Sequence, residues 1–329
     1  MPRPNYTLRR MTVALVVLVV AGTVAWLVHL AVASPPARSA GPPTTHRPTS
    51  THGPSGATPT TAARSSAERG LAVTWSELPL VDTSRQLVRG GAVLAPSRSL
   101  PTWVWTPTAA GRYPLVVFAH GYGRTPLQYE RFCSQLASAG YVVAAPSFPL
   151  EDPTRGYGLD RSDLADEAGD VSFVITSLES GATAGRLTPG AVAVVGHSDG
   201  ADVALEVGYE QGTSDHRVGV VVADAPDPVT APLSGSDPPL LLVQGTADTV
   251  VPYSASQTVF TQLPGPTWYV SLLGADHLPP IQGGTAWTPV LGDAVADFLD
   301  ATVAGRGPGT SGLSAELAAS PLARLATKG

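Results

Sequence analysis

At 329 residues and 43% hydrophobic, the chain is long enough for one large domain with appendages. A net charge of −6, with Lys328 the only lysine among 20 basic residues, excludes the basic footprint of a nucleic-acid-binding protein. The single cysteine, Cys133, excludes an intrachain disulfide.

Met11 through Ala33 is an uncharged apolar run preceded by Arg3, Arg9 and Arg10. A helix crosses a bilayer with about 20 apolar residues, so the run predicts an N-terminal transmembrane signal-anchor, with residues 1–10 cytoplasmic and everything beyond 33 outside. Ala31-Val32-Ala33 before Ser34 also fits a signal-peptide cleavage site, and that competing reading exports the chain as well. Residues 34–69 are Pro, Ser, Thr, Ala and Gly with few large apolar side chains, which predicts a disordered linker. His29, His46 and His52 fall in these segments and are expected to have no chemical role.

The folded part begins near Leu71. Glu77 to Val81 and Leu100 to Trp105 read as early antiparallel strands. Pro114-Leu115-Val116-Val117-Phe118-Ala119 has the continuous apolar pattern of a buried strand and leads into His120-Gly121-Tyr122-Gly123. Residues 126–139 form an amphipathic helix, with Tyr129, Phe132 and Leu136 at helical spacing and Cys133 as a packed core thiol. Tyr141 to Ala145 is the next strand. Residues 151–185 contain another amphipathic helix, on which Asp160, Asp163, Asp166, Glu167 and Asp170 are expected to form a solvated face, a metal site being the alternative.

Val192 to Val195 then meets Gly196-His197-Ser198-Asp199-Gly200, followed by a helix-compatible stretch through Glu210. Gly-x-Ser-x-Gly between a strand and a helix suits a sharp turn with the serine at its apex, where flanking Cβ atoms would clash. Ser198 is therefore the candidate nucleophile. Val218 to Val222 ends at Asp224, Leu240 to Val243 leads into Gly245-Thr246-Ala247-Asp248, and Trp268 to Leu273 leads into Asp276-His277. Strands alternating with helices predict a mostly parallel sheet covered on both faces, with its chemistry at the C-terminal strand ends. The short Pro-, Ser- and Asp-rich segment 224–239 predicts an open site without a helical cap. Residues 287–303 are a final helix, and 305–329 a tail or short helix, leaving 70–304 as the folded domain.

A serine hydroxyl needs a base to take its proton, and neutral His277 is suited to that near pH 7. Asp248 would hold the imidazole in the correct tautomer; Asp224 and Asp276 are rivals for that role. His197 and His216 are expected to be structural or exposed. The Tyr122 and Asp199 N–H groups are the expected oxyanion-hole donors, with Gly121 and Tyr122 contacting substrate. A carboxylate at position 199 opposes negative charge nearby, which predicts that Asp199 disfavours anionic substrates. The chemistry uses no metal and no cofactor.

The order Ser198, Asp248, His277, with the His120 loop ahead of the serine, resembles the α/β-hydrolase fold over about residues 75–303. Within it, Pro114 to Gly123 and Ala137 to Pro146 resemble the dienelactone hydrolase, chlorophyllase and platelet-activating-factor acetylhydrolase-like group. The resemblance implies a serine esterase acting on a small-molecule or lipid-like ester. Dienelactone hydrolase has cysteine where this chain has Ser198. Polyester hydrolases of the group carry methionine after the nucleophile and a tryptophan beyond the next strand, places held here by Asp199 and by Asp224 to Asp227. An acyltransferase sharing the acyl-enzyme, and a catalytically silent binding module, are the alternatives.

Overall fold

The computed structural model describes residues 70–234, 238–263, 265–306 and 309–329. The expected anchor at 11–33, the linker at 34–69 and His29, His46 and His52 lie outside the described residues. Among those described, no helix is long and apolar enough to cross a membrane.

Strands β1 (Val73–Asp82), β2 (Leu87–Arg89), β3 (Ala92–Ala95), β4 (Arg98–Pro107) and β5 (Tyr113–Ala119) come first. Helix α1 (Glu130–Ser138), strand β6 (Val142–Pro146), helix α2 (Leu164–Ser180) and strand β7 (Leu187–His197) follow. Then come α3 (Asp199–Tyr209), β8 (Val218–Asp224), β9 (Leu240–Gly245), α4 (Tyr253–Gln262) and β10 (Thr267–Leu272). The chain closes with α5 (Trp287–Thr302), α6 (Thr310–Ala319) and β11 (Ala323–Lys328). β2 and β3 pair as a separate hairpin; the other nine strands form one sheet in the order β1-β4-β6-β5-β7-β8-β9-β10-β11. The six strands from β6 to β10 are parallel, while β1, β4 and β11 add antiparallel edges.

Burial on both faces explains the uninterrupted apolar runs. Side chains alternate across a strand, so Val116 and Phe118 face α1 and α5 with Phe132, Leu136, Val295 and Phe298. Leu115 and Val117 face α2, α3 and α4 with Val171, Ile175, Leu205 and Val259. Each such valine, leucine or phenylalanine contributes about 1.5–3 kcal/mol relative to exposure. A mostly parallel sheet with helices on both faces is the α/β-hydrolase arrangement expected above. No helix is found among the described residues between β8 and β9, which leaves that side of the site without a helical cap over the described stretch.

Two expectations are corrected. The segment expected as a tail or short helix does contain a helix, α6, but it continues into a strand, β11, which pairs antiparallel with β10 from Ala323↔Leu272 to Lys328↔Thr267. Ala-Arg-Leu-Ala-Thr-Lys is an edge strand with mixed burial, so it lacks the apolar run that announces the central strands. Nor is the acidic series before β7 wholly a solvated face: Asp166 is exposed and Asp160 half-buried, but Asp163, Glu167 and Asp170 are buried. Arg98 of β4, itself fully buried, bonds both Asp163 oxygens at 3.0 and 2.7 Å and both Asp170 oxygens at 2.7 Å. Burying charge is tolerated where it is paired and hydrogen-bonded. Among the described residues, no group of three or more His, Cys, Asp or Glu is placed to hold a metal ion.

Candidate active site

The C-terminal ends of β5, β7, β9 and β10 deliver His120, Ser198, Asp248 and His277 to one edge of the sheet. Ser198 sits between β7 and α3 at φ 58° and ψ −127°, a conformation that non-glycine residues adopt at a cost of about 1–3 kcal/mol. The neighbouring glycines make the turn feasible. A Cβ on Gly196 would lie 1.8 Å from the Gly200 carbonyl oxygen, and one on Gly200 would lie 2.1 Å from that of Ala119. Strand, turn and helix are thus in direct backbone contact.

His277 and Asp248 meet as the sequence predicts. Nδ1–H of His277 donates to Oδ2 of Asp248 at 2.7 Å, and that carboxylate is 1% exposed. Gln244 Nε2 donates to the same oxygen at 2.7 Å, while the N–H groups of Val250 and Val251 both donate to Oδ1 at 2.8 Å. Burial alone would raise the Asp248 pKa; the His277 bond and charge and the two backbone donors together hold it below the ordinary carboxylate value. With Nδ1 committed as donor, Nε2 of His277 is left as the basic nitrogen. Of the rivals, Asp224 is buried and in no hydrogen bond with His277, so burial pushes its carboxyl well up, toward the protonated form. Asp276 accepts from Thr249 N–H at 2.9 Å and from His277 N–H at 2.8 Å, tying the acid and histidine loops together through the backbone.

Ser198 and His277 line one cavity of about 320 Å³ with Gly121, Tyr122, Arg124, Tyr129, Val250 and Leu278. The serine hydroxyl makes no hydrogen bond within 3.5 Å to a described residue, a contact that commonly tightens only when substrate is bound. Gly121 packs on the nucleophile: a Cβ there would lie 3.0 Å from both Ser198 Cβ and the His197 carbonyl oxygen. Among the described residues, neither the Tyr122 nor the Asp199 N–H is engaged by a protein acceptor.

The Asp199 carboxylate is turned onto Arg161, whose Nε donates to it at 2.5 Å; Arg161 also reaches Asp202 at 3.1 Å and Asp227 at 3.2 Å. The expected penalty on anionic substrates presumed an uncompensated Asp199 charge, and Arg161 compensates it. Glu151 lies behind, fully buried. Burial and the nearby Asp199 push its carboxyl up to about 10, so it is neutral at physiological pH.

Four groups escaped the sequence reading. Gln244 supports the acid. Tyr129 and His197, read as core or structural, join the oxyanion loop to the histidine loop. The Gly121 N–H donates to the Tyr129 hydroxyl at 3.3 Å, that hydroxyl donates to His197 Nδ1 at 3.1 Å, and His197 Nε2–H donates to the His277 carbonyl at 3.1 Å. Burial and then the neighbouring His277 push the His197 ring down to about 3, which keeps it neutral and fixes this sequence of donors. The fourth is Arg161, hidden within the acidic series; only the odd carboxylate at position 199 signalled that a cation was needed. His120 is likewise a fixed neutral ring, donating from Nδ1 to the Gly121 carbonyl and accepting the Phe148 N–H at Nε2; burial pushes it down to about 4. His216 is exposed, and Cys133 is buried in the core.

Residues 82–248, just over half of the chain, match the family model described as Chlorophyllase. The chain belongs to the chlorophyllase family. Chlorophyllases are members of the α/β-hydrolase superfamily, and membership makes this chain a hydrolase with a small-molecule ester as its substrate class. The chlorophyllase match takes in the His120 loop, the Ser198 turn and Asp248; His277 lies beyond it.

Proposed function

We propose that this chlorophyllase-family chain is an exported serine esterase working through an acyl-enzyme. Ser198 Oγ attacks the ester carbonyl while His277 Nε2 takes its proton, and Asp248 stabilises the imidazolium. The Tyr122 and Asp199 N–H groups receive the developing oxyanion. Collapse expels the alcohol, which carries away the proton from His277. Water, deprotonated by the same nitrogen, then releases the acid and restores Ser198. The observation that carries this reading is the 2.7 Å His277–Asp248 bond in the cavity that also holds Ser198 at positive φ. Tyr122 and Val250, exposed and lining the cavity, suit an apolar portion of the ester. Export rests on the apolar run at 11–33, acting as anchor or as cleaved signal, with 34–69 as the linker to the catalytic domain.

The test is hydrolysis of short-chain esters by the full chain and its variants. Ser198→Ala is expected to abolish turnover, Asp248→Asn to lower kcat on the order of 10³–10⁴-fold, and Asp224→Asn to retain most of it. Turnover that survives Ser198→Ala, or a loss larger for Asp224→Asn than for Asp248→Asn, overturns the assignment.

A further inference from the structure

We infer that Arg124 is an anion anchor that selects esters carrying a second, ionised carboxylate, such as half-esters of dicarboxylic acids. The inference rests on the esterase reading above and names the substrate class of that same site.

Arg124 follows the oxyanion loop directly. Its N–H donates to the Gly121 carbonyl at 3.1 Å, and the preceding Gly123 N–H donates to the Glu151 carbonyl at 2.9 Å, so its backbone is held to the loop that contacts Ser198. Its half-buried side chain lines the cavity with Ser198 and His277. Two arginines line that cavity, and they differ in one respect. Arg161 is engaged by Asp199, Asp202 and Asp227. Arg124, among the described residues, is in no ion pair and donates no side-chain hydrogen bond. Elsewhere in the domain Arg85, Arg98, Arg217 and Arg306 have carboxylate partners, and Arg89, Arg112, Arg155, Arg186 and Arg324 donate to backbone carbonyls. A guanidinium presents five donors in a rigid fork that matches a carboxylate in bidentate fashion. At Arg124 that fork is unmatched by protein, on a residue that lines the same cavity as the nucleophile.

The surroundings favour an anion at this place. The Tyr129 hydroxyl and His197 ring on this side are neutral, and the charge of Arg124 is felt at both. The carboxylates lining the cavity, Asp199 and Asp227, are tied to Arg161. The cavity lining therefore combines a compensated acid–arginine knot with an unpaired cation. Tyr122, Val250, Val251 and Leu278 complete the wall and suit a short apolar spacer between ester and carboxylate. At about 320 Å³ the cavity is at the small end of ligand sites, which run from about 300 to 1,000 Å³, so the preferred substrates are short. Arg124 takes no covalent part. The bond broken is the ester C–O bond, one water is consumed, and the products are a dicarboxylate and an alcohol.

The experiment compares monomethyl with dimethyl esters of the dicarboxylates from succinate to suberate, using the full chain and its Arg124→Gln and Arg124→Lys variants. The expected result is that Arg124→Gln lowers the monomethyl-to-dimethyl ratio of kcat/KM about tenfold, mostly through KM, with Arg124→Lys intermediate. Added salt is expected to erode the wild-type ratio and leave that of Arg124→Gln flat. A ratio unchanged by Arg124→Gln, in an enzyme that still cleaves the dimethyl esters, overturns the anchor and leaves the esterase reading standing. Calorimetric binding of the half-esters to Ser198→Ala reads the anchor without turnover: weaker binding in the Ser198→Ala, Arg124→Gln double variant supports it, and equal binding overturns it. Failure of the wild type to cleave any of the esters counts against the esterase reading itself, and the inference falls with it.

Discussion

Replacing Tyr129 by phenylalanine removes one oxygen and tests whether the oxyanion loop and the catalytic histidine are mechanically joined. The ring is fully buried, packed against Phe118 at 4.9 Å between centroids, so phenylalanine keeps the packing. The lost hydroxyl strands two groups in a dry interior: the Gly121 N–H and Nδ1 of His197. Leaving a buried polar group unsatisfied costs about 1–3 kcal/mol. Both bonds are long, at 3.3 and 3.1 Å, which argues for the lower end for each. The working figure is therefore about 2 kcal/mol, or a fall in Tm of about 4–8 °C for a domain of this size. Gly121 immediately precedes Tyr122, so the loosened loop weakens a donor used only in the transition state. The expected signature is kcat down about tenfold, equivalent to about 1.4 kcal/mol, with KM nearly constant. Stopped-flow ester hydrolysis and a thermal melt read both quantities. A variant with kcat within twofold of wild type and an unchanged melt refutes the reasoning.

Three further outcomes follow from the same geometry. Arg98→Leu strips Asp163 and Asp170 of their shared cation, and breaking such a buried pair is expected to cost about 3–5 kcal/mol in urea unfolding; a cost below about 1 kcal/mol would show that the cluster adapts by protonation. The Glu151 carboxyl titrates near 10 in the folded chain and near the ordinary carboxylate value when unfolded, so between those limits the folded state holds a proton the unfolded state lacks. Stability from this group is complete at low pH and lost as pH rises toward 10, so the melting temperature of Glu151→Gln should gain on wild type between pH 5 and pH 9; a constant difference across that range contradicts the assignment. Gly121→Ala places a methyl 3.0 Å from Ser198 Cβ and is expected to lower kcat at least tenfold while the fold survives, as circular dichroism would show.

The sequence is most legible where one local pattern carries a whole element. Val192 to Gly200 states its strand, its turn and the start of its helix within nine residues, because a buried parallel strand must be apolar on both faces and a sharp turn must lack Cβ atoms. The order of Ser198, Asp248 and His277 is legible for a related reason: each follows a strand whose apolar run marks it. What stays hidden depends on distant partners. Arg98 is separated from Asp163 and Asp170 by 65 and 72 residues, so the carboxylates read as solvated until β4 is placed beside α2. Tyr129 and His197, 68 residues apart, each fit the core pattern and show their link only when the loops converge. The strand β11 is hidden for the opposite reason, since an edge strand has too little buried surface to leave an apolar run.

The claim that Ser198 is an activated nucleophile is tested most directly by a fluorophosphonate probe applied to the full chain, with the labelled peptide located by mass spectrometry. The account predicts stoichiometric modification at Ser198, lost in Ser198→Ala and strongly slowed in His277→Ala. A folded wild-type protein that stays unlabelled, or one labelled at another residue, would contradict it.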